Sequence, residues 1–205
     1  MTGSEFVARV KVRLNRLDSN SYSDILPEEI LFFGSDALKK LTVRLYRGQI
    51  DAKTPPEGIA LYLASVDAVT PEVLLVENKV AIPSDFLLIK DMEVFVKVDQ
   101  ESGWVPARYL TTRTSVSKLT DPWSKSFPDN PAYELVENNI VFPISNEEFV
   151  CEKIKVEYLK KPDELTTSSI IEFPFEDELE SETTTLILEN LESRRLSTQP
   201  TVSKS

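Results

Sequence analysis

The chain contains no histidine and one cysteine, and these shortages exclude several kinds of site. Histidine is the commonest general base and metal ligand at neutral pH. A Ser-His-Asp triad, a Cys-His dyad and any histidine-containing zinc site therefore cannot be built within this chain. With Cys151 alone no intramolecular disulfide can form, and its alternating surroundings favour an ordinary strand thiol. We expect no catalytic residue, no metal and no cofactor.

Glycine and long apolar runs are also scarce. Only 5 of 205 residues are glycine, and none forms a GxGxxG or P-loop pattern, so a nucleotide-cradling loop is not expected. No apolar run approaches the roughly 20 residues of a membrane helix, and the first residues lack the apolar region of a secretory signal. These features predict a globular protein assembled in a reducing cytoplasm, with no membrane partner.

The formal net charge of −11 is distributed unevenly along the chain. Residues 1–48 carry 8 Lys/Arg and 6 Asp/Glu, residues 49–162 carry 12 and 18, and residues 163–205 carry 3 and 10. On average such a surface repels phosphate backbones, which disfavours tight nucleic-acid binding. It would suit a protein that lets DNA pass without adhering to it.

Two matched segments lie 60 residues apart in the middle of the chain. VENKVAIP at 76–83 is echoed by VENNIVFP at 136–143. In each copy two turn-forming residues, Asn78-Lys79 and Asn138-Asn139, separate apolar runs, and this pattern predicts a tight hairpin. The offset continues downstream through Val94/Ile154, Val96/Val156 and Val98/Tyr158.

Helical periodicity occupies both ends of the chain. The spacing predicts a first helix over about 3–17 with Ser4 as N-cap, a second from Pro27 to a C-cap at Gly48, and a third over about 175–196. The expected apolar stripes are Phe6, Val10, Leu14 and Leu17; Ile30, Phe33, Ala37, Leu41 and Leu45; and Leu179, Thr183, Leu186 and Asn190, with Ile187, Leu188 and Leu191 beside the last.

Between these ends the period shifts towards strands, from about Ile59 to Leu159. A turn-rich connector precedes this region, and a 21-residue loop, Thr111–Pro131, interrupts it. We predict an α+β protein in which the N- and C-terminal helices form a small bundle around an inserted antiparallel β module of four to seven strands. The expected divisions are a helical part at 1–58, the β module at 59–162, a completing helix at 163–196 and a flexible tail at 197–205.

Several segments, in this order and spacing, resemble the head-to-tail adaptor or connector ring proteins of tailed bacteriophages. The podovirus tail-tubular adaptors and the ring proteins of crAss-like phages are the most similar groups, and the resemblance covers nearly the whole chain. Gly34 and Thr183 depart from the pattern. The segments are EFVARVKVRLNRLD at 5–18, LPEEI at 26–30, IPSDFL at 82–87, DNPAY at 129–133, NNIVFP at 138–143, VEYLKKP at 156–162 and LESRR at 191–195.

The resemblance implies a structural virion protein rather than an enzyme. Such proteins form a twelve-fold ring beneath the portal, extend the DNA channel and present a docking surface to the next tail or ring protein. The implied partners are further copies of the chain, the portal and that tail component, while DNA passes through without specific binding. The implied location is the virion, after assembly in the host cytoplasm.

Two groups of side chains are candidate partner contacts. Basic residues of the terminal helices could dock on an acidic portal rim, although a solvated helix face explains them as well: Arg9, Arg13, Arg16, Arg44, Arg47, Arg194 and Arg195. Trp104 and Trp123 lie in proline-containing stretches, and tryptophan is enriched at interface hot spots. Trp104 could equally pack on its own sheet, and Trp123 is the preferred intersubunit anchor.

Other functions remain open at this point. A β-rich binding or decoration protein that recognises a protein or carbohydrate is one alternative. An enzyme without histidine would need paired carboxylates, and no spacing selects such a pair. The acidic run Glu172–Glu182 lacks the spacing of a calcium loop, and carboxylates at a helix start explain it better.

Overall fold

A computed structural model describes residues 1–17, 25–48, 56–98, 101–110, 126–143 and 149–197. It confirms the α+β class. The chain divides into a helical unit, Met1–Val66 with Pro162–Ser205, and a β unit, Asp67–Lys161. Residues 49–55, 111–125 and 198–205 lie outside the described part. They make up most of the predicted connector, of the long loop and of the tail. The described helices are α1 (Gly3–Leu17), α2 (Pro27–Tyr46), α3 (Pro56–Ser65) and α4 (Glu176–Ser197).

Helix α1 has the predicted bounds but a different N-cap. Thr2 Oγ1 accepts a hydrogen bond from the Glu5 N–H at 3.2 Å, and the Glu5 carboxylate accepts one from the Thr2 N–H at 2.7 Å. This reciprocal capping box lowers the pKa of Glu5. The prediction of Ser4 as N-cap is wrong, because the helix begins at Gly3 and its cap is Thr2, two residues earlier. The Ser4 hydroxyl instead donates to the Thr167 carbonyl.

Helix α2 begins at Pro27, whose missing N–H is not needed in a first turn. The C-cap is Arg47, one residue before the predicted Gly48, which follows the cap with a φ of 65° and donates its N–H to the Leu45 carbonyl. Gly34 lies buried in the middle of the helix. A Cβ there would lie 2.6 Å from the Phe6 ring and 3.1 Å from Leu165, so the close approach of these side chains requires glycine.

Helix α3 contradicts the prediction of strands from Ile59. The segment PEGIALYLAS is almost uniformly apolar after its first turn, so periodicity did not distinguish a short helix from a strand. Its proline-rich start is a helix-start signal as much as a turn signal. The side chains of Ile59, Tyr62 and Leu63 pack against the helical core. The Tyr62 hydroxyl lies 2.7 Å from Thr42 Oγ1 on α2.

The helical core takes residues from both ends of the chain. Phe6 and Leu14 of α1 and Leu179 and Ile187 of α4 are at most 1% exposed within one cluster. Leu17, the last residue of the predicted α1 stripe, is 59% exposed although it lies on the same side of the helix as Phe6 and Val10, so the prediction of a buried Leu17 is wrong. The cluster also includes Val7, Val10, Ile25, Ile30, Leu31, Ala37, Leu38, Leu41, Leu45, Leu165, Ile171, Phe173 and Phe175.

The β unit contains nine described strands rather than four to seven, because several have only two or three residues. A five-stranded sheet has the order β1-β9-β4-β5 with β2 also on β9, and a four-stranded sheet has the order β3-β8-β7-β6. All pairs are antiparallel except β6 with β7. The strands are β1 (Asp67–Val69), β2 (Val73–Leu74), β3 (Lys79–Ala81), β4 (Phe86–Val98), β5 (Glu101–Pro106), β6 (Arg108–Tyr109), β7 (Ala132–Val136), β8 (Asn139–Val141) and β9 (Val150–Lys160).

The two copies of the repeat pair with each other. Val80 lies opposite Ile140, its own counterpart, in one sheet, and Val94 lies opposite Ile154 in the other. The flanking contacts are matched as well: Ile82 donates to the Asn138 carbonyl and Phe142 to the Asn78 carbonyl, both at 2.9 Å. The copies are thus related by a local two-fold axis. A bulge after Phe95 interrupts this symmetry.

Both predicted hairpins are present, but each turn lies one residue earlier. Val76 bridges Lys79, and Val136 pairs with Asn139. The turn residues are therefore Glu77-Asn78 and Glu137-Asn138. Glu77, Asn78 and Glu137 have φ values of 52°, 60° and 54°. Tight hairpins require such left-handed residues, and the sequence pattern did not indicate that a glutamate would adopt this conformation.

Candidate interaction surfaces

Arg9 and Arg13, two of the predicted partner contacts, hold α1 to α4. Arg9 Nη1 lies 3.1 Å from Glu176 and 3.3 Å from Glu180, and Arg13 Nη1 lies 3.9 Å from Glu180 and donates to the Asp177 carbonyl at 3.1 Å. The hydrogen bond to Glu180, with the charge of Glu176, raises the pKa of Arg9. A partner that bound these arginines would compete with carboxylates of the same chain.

The other predicted arginines differ in their surroundings. Arg44 lies 3.5 Å from Glu182 on α4, and Arg194 lies 3.7 Å from Glu29 on α2. Arg47 is exposed at the C-cap of α2. The side chain of Arg195 lies outside the described part of the chain. Ion pairs therefore join α4 to α1 and to α2, and each stabilises only modestly because it is partly exposed.

The acidic run predicted as helix-start carboxylates contributes to these pairs. Glu176, Glu180 and Glu182 belong to the first two turns of α4, and each faces a cation of α1 or α2. Among the described residues no group of three His, Cys, Asp or Glu side chains could hold a metal ion. No described helix is long and apolar enough to cross a membrane.

Trp104 lies on the outer face of the five-stranded sheet, at its β5 edge. Its ring packs edge-on against Phe95 of β4 with centroids 5.5 Å apart, and the Lys153 ammonium lies 5.8 Å from the Phe95 centroid. These side chains form a row across three strands, which we call the aromatic row. Trp104 remains 37% exposed. It packs on its own sheet and still offers an aromatic face to a partner. Trp123 lies outside the described residues.

A groove on the helical unit was not predicted from the sequence. It has a volume of about 390 Å³, and Phe32 on its lip is 64% exposed. The Ser35 hydroxyl donates to the Leu31 carbonyl and accepts a hydrogen bond from the Leu165 N–H, both at 2.8 Å. The second bond holds residues 164–167 beside α2, where they form the other wall of the groove. We call this the Phe32 groove. Its lining residues are Glu28, Leu31, Phe32, Ser35, Asp36 and Lys39 of α2 with Glu164, Leu165, Thr166 and Thr167.

The solvent side of α1 carries a second surface. Ala8, Val12 and Arg16 recur every four residues, so they share one side of the helix, and all three are exposed. Val12 is 52% exposed and gives this side of the helix an apolar side chain between arginines. We call this the α1 stripe. It shares no residue with the Phe32 groove.

No protein-family model matches the chain, and no curated protein does.

Proposed function

We propose that the protein is a structural subunit of a bacteriophage virion, forming a ring that joins the portal to the tail and extends the DNA channel. The observation that carries the proposal is the shared core of the two chain ends. Phe6 of α1 and Leu179 of α4 are both fully buried in one cluster, while the β unit between them has a core of its own. This arrangement agrees with the adaptor resemblance drawn from the sequence.

The charge distribution supports the same role. A net charge of −11 on each subunit would be repeated around a ring. Such a ring would disfavour adhesion of DNA during packaging and ejection, because like charges repel. In a closed ring every subunit has two neighbours, so individually weak contacts are strengthened by high effective concentration. Twelve copies, by the resemblance, with the portal on one side and a tail protein on the other, complete the proposed assembly.

Electron microscopy of the purified protein, alone and mixed with its portal, tests this proposal. Rings with a central hole that attach to the portal are expected. A strictly monomeric protein that does not bind the portal would refute the proposal.

A second candidate function is a β-rich binding or decoration protein. The aromatic row favours it, because exposed rings on a sheet face can stack on a sugar or cover an apolar protein surface. Trp104→Ala distinguishes the two functions. Loss of binding to a glycan or host surface, with no effect on ring formation, would support the second candidate.

A further inference from the structure

We propose that the α1 stripe of one copy docks in the Phe32 groove of the next copy. The inference rests on the proposed ring and names the surfaces that would join its subunits. It starts from Phe32, an aromatic side chain exposed beside a groove whose floor includes buried Leu31 and Leu165. Aromatic residues at the mouth of an apolar groove are the usual anchors of protein interfaces.

The chemistry of the groove defines what it can accept. Glu28 and Glu164 are exposed on its rim, and the third carboxylate, Asp36, is paired with Lys39 at 3.1 Å. The lining therefore has three acidic residues and one basic residue. A suitable occupant brings a small apolar side chain to the floor and a cation to the rim. An amphipathic helix edge fits this geometry, because grooves of this kind commonly bind a helix.

The chain itself carries such an edge. The α1 stripe presents Ala8 and Val12 with Arg16 one turn further on, all exposed. Arg9 and Arg13 flank it, and their ion pairs with α4 hold the stripe in place. Arg16 is the cation that would meet Glu28 and Glu164 on the groove rim, so charge complementarity favours a second copy of this chain as the occupant.

The two surfaces are also separate, as a ring contact requires. They share no residue, so one copy can offer its stripe to one neighbour and its groove to the other. Contacts between two different surfaces are heterologous, and heterologous contacts generate rings when the rotation closes. A symmetric dimer using both contacts is the other closed form.

Charge reversal tests the contact in the full-length protein. Glu28→Lys with Glu164→Lys reverses the groove rim, and Arg16→Glu reverses the stripe. All three side chains are exposed, so the fold should survive, and circular dichroism melting verifies this. Each reversal should weaken self-association at least tenfold in sedimentation velocity. The triple variant should recover to within about threefold of the wild type. Glu189→Lys, an exposed change on α4 outside both surfaces, is the matched control.

The outcomes separate this inference from the ring itself. Rings that persist in both single-surface variants, or a triple variant that fails to recover, would overturn the contact while leaving the ring proposal intact. A wild-type two-subunit dimer that each reversal breaks and the triple variant restores would support the contact and refute the ring. A wild-type protein that is monomeric at all concentrations and with portal would refute both.

Discussion

Replacement of Gly3 by alanine tests whether the two chain ends meet as closely as the helical core requires. A Cβ at this position would lie 1.9 Å from the Thr166 carbonyl oxygen and 3.0 Å from its carbonyl carbon. The obstacle is backbone, which cannot rotate aside as a side chain can. Around it, the Gly3 N–H donates to Ser169, the Ser4 N–H to Thr167, and the Ile171 N–H to Met1, at 2.9, 3.1 and 2.8 Å.

The magnitude follows from the two ways in which the protein can respond. If the contacts are kept, overpacking costs about 1–3 kcal/mol, and a clash with backbone belongs to the upper part of that range. If the segments separate, three hydrogen bonds worth about 0.5–1.5 kcal/mol each are lost. Alanine regains under about 1 kcal/mol of helix propensity, and less at the first helical residue. We expect Gly3→Ala to reduce the free energy of unfolding by roughly 2 kcal/mol.

Denaturant unfolding and thermal melting measure this change. A loss of about 2 kcal/mol lowers the melting temperature by roughly 4–8 °C if the chain unfolds as one, and by about twice that if the helical unit unfolds alone. Gly103→Ala is the matched control, because a Cβ there meets nothing within 4 Å. A Gly3→Ala variant within about 0.5 kcal/mol of the wild type would refute the close approach of Gly3 to Thr166.

Three further predictions concern the β unit. Glu77→Gly and Glu137→Gly should each raise the free energy of unfolding by roughly 1 kcal/mol, because φ values of 52° and 54° strain a non-glycine residue. Glu134→Gly inside β7 should lower the free energy of unfolding. A loss of stability at either turn would contradict the observed turns. Burial raises the pKa of the Cys151 thiol to about 12, so a thiol reagent at pH 8 should react only through unfolding, and rapid labelling of the native protein would count against its buried position. Burial also raises the pKa of Tyr133 to about 12. The stability that its neutral form confers is therefore complete below the unfolded-state pKa of about 10 and is lost as the pH rises towards 12. Tyr133→Phe should flatten the fall in melting temperature between pH 10 and 12, and an unchanged dependence of melting temperature on pH would disprove the assignment.

The helices that sequence reasoning located are those with a clear amphipathic period. Both α1 and α2 begin where predicted, and α4 begins within one residue of its prediction, because apolar stripes, a helix-start proline and terminal charges agree there. Helix α3 was not predicted, because it is short and apolar on most sides and therefore has no distinct apolar stripe. The predicted hairpin turns lay one residue too far along the chain, because a glutamate, unlike a glycine, does not indicate a left-handed backbone conformation.

Long-range contacts account for what the sequence could not reveal. Alternation identifies a strand but not its partner, so the pairing of β3 with β8 and of β4 with β9 was beyond reach. The Phe32 groove lies between α2 and residues 164–167, which the hydrogen bond from Leu165 to Ser35 joins across 130 residues of sequence. The arginine candidates were chosen by charge and helical position, and these could not indicate that Arg9, Arg13 and Arg44 pair with carboxylates of α4.

The sequence of the β unit is inserted between the two segments of the helical unit, so the parts of the helical unit are synthesised at different times. All strands of the β unit have been made by residue 161, whereas α4 extends to residue 197. At about 5–20 residues per second, translation from residue 66 to residue 197 takes roughly 7–26 s. During that interval the first three helices have been made but α4 has not, whereas the β unit has all its described strands once residue 161 has been added. The helical core is therefore the last part of the described chain to close.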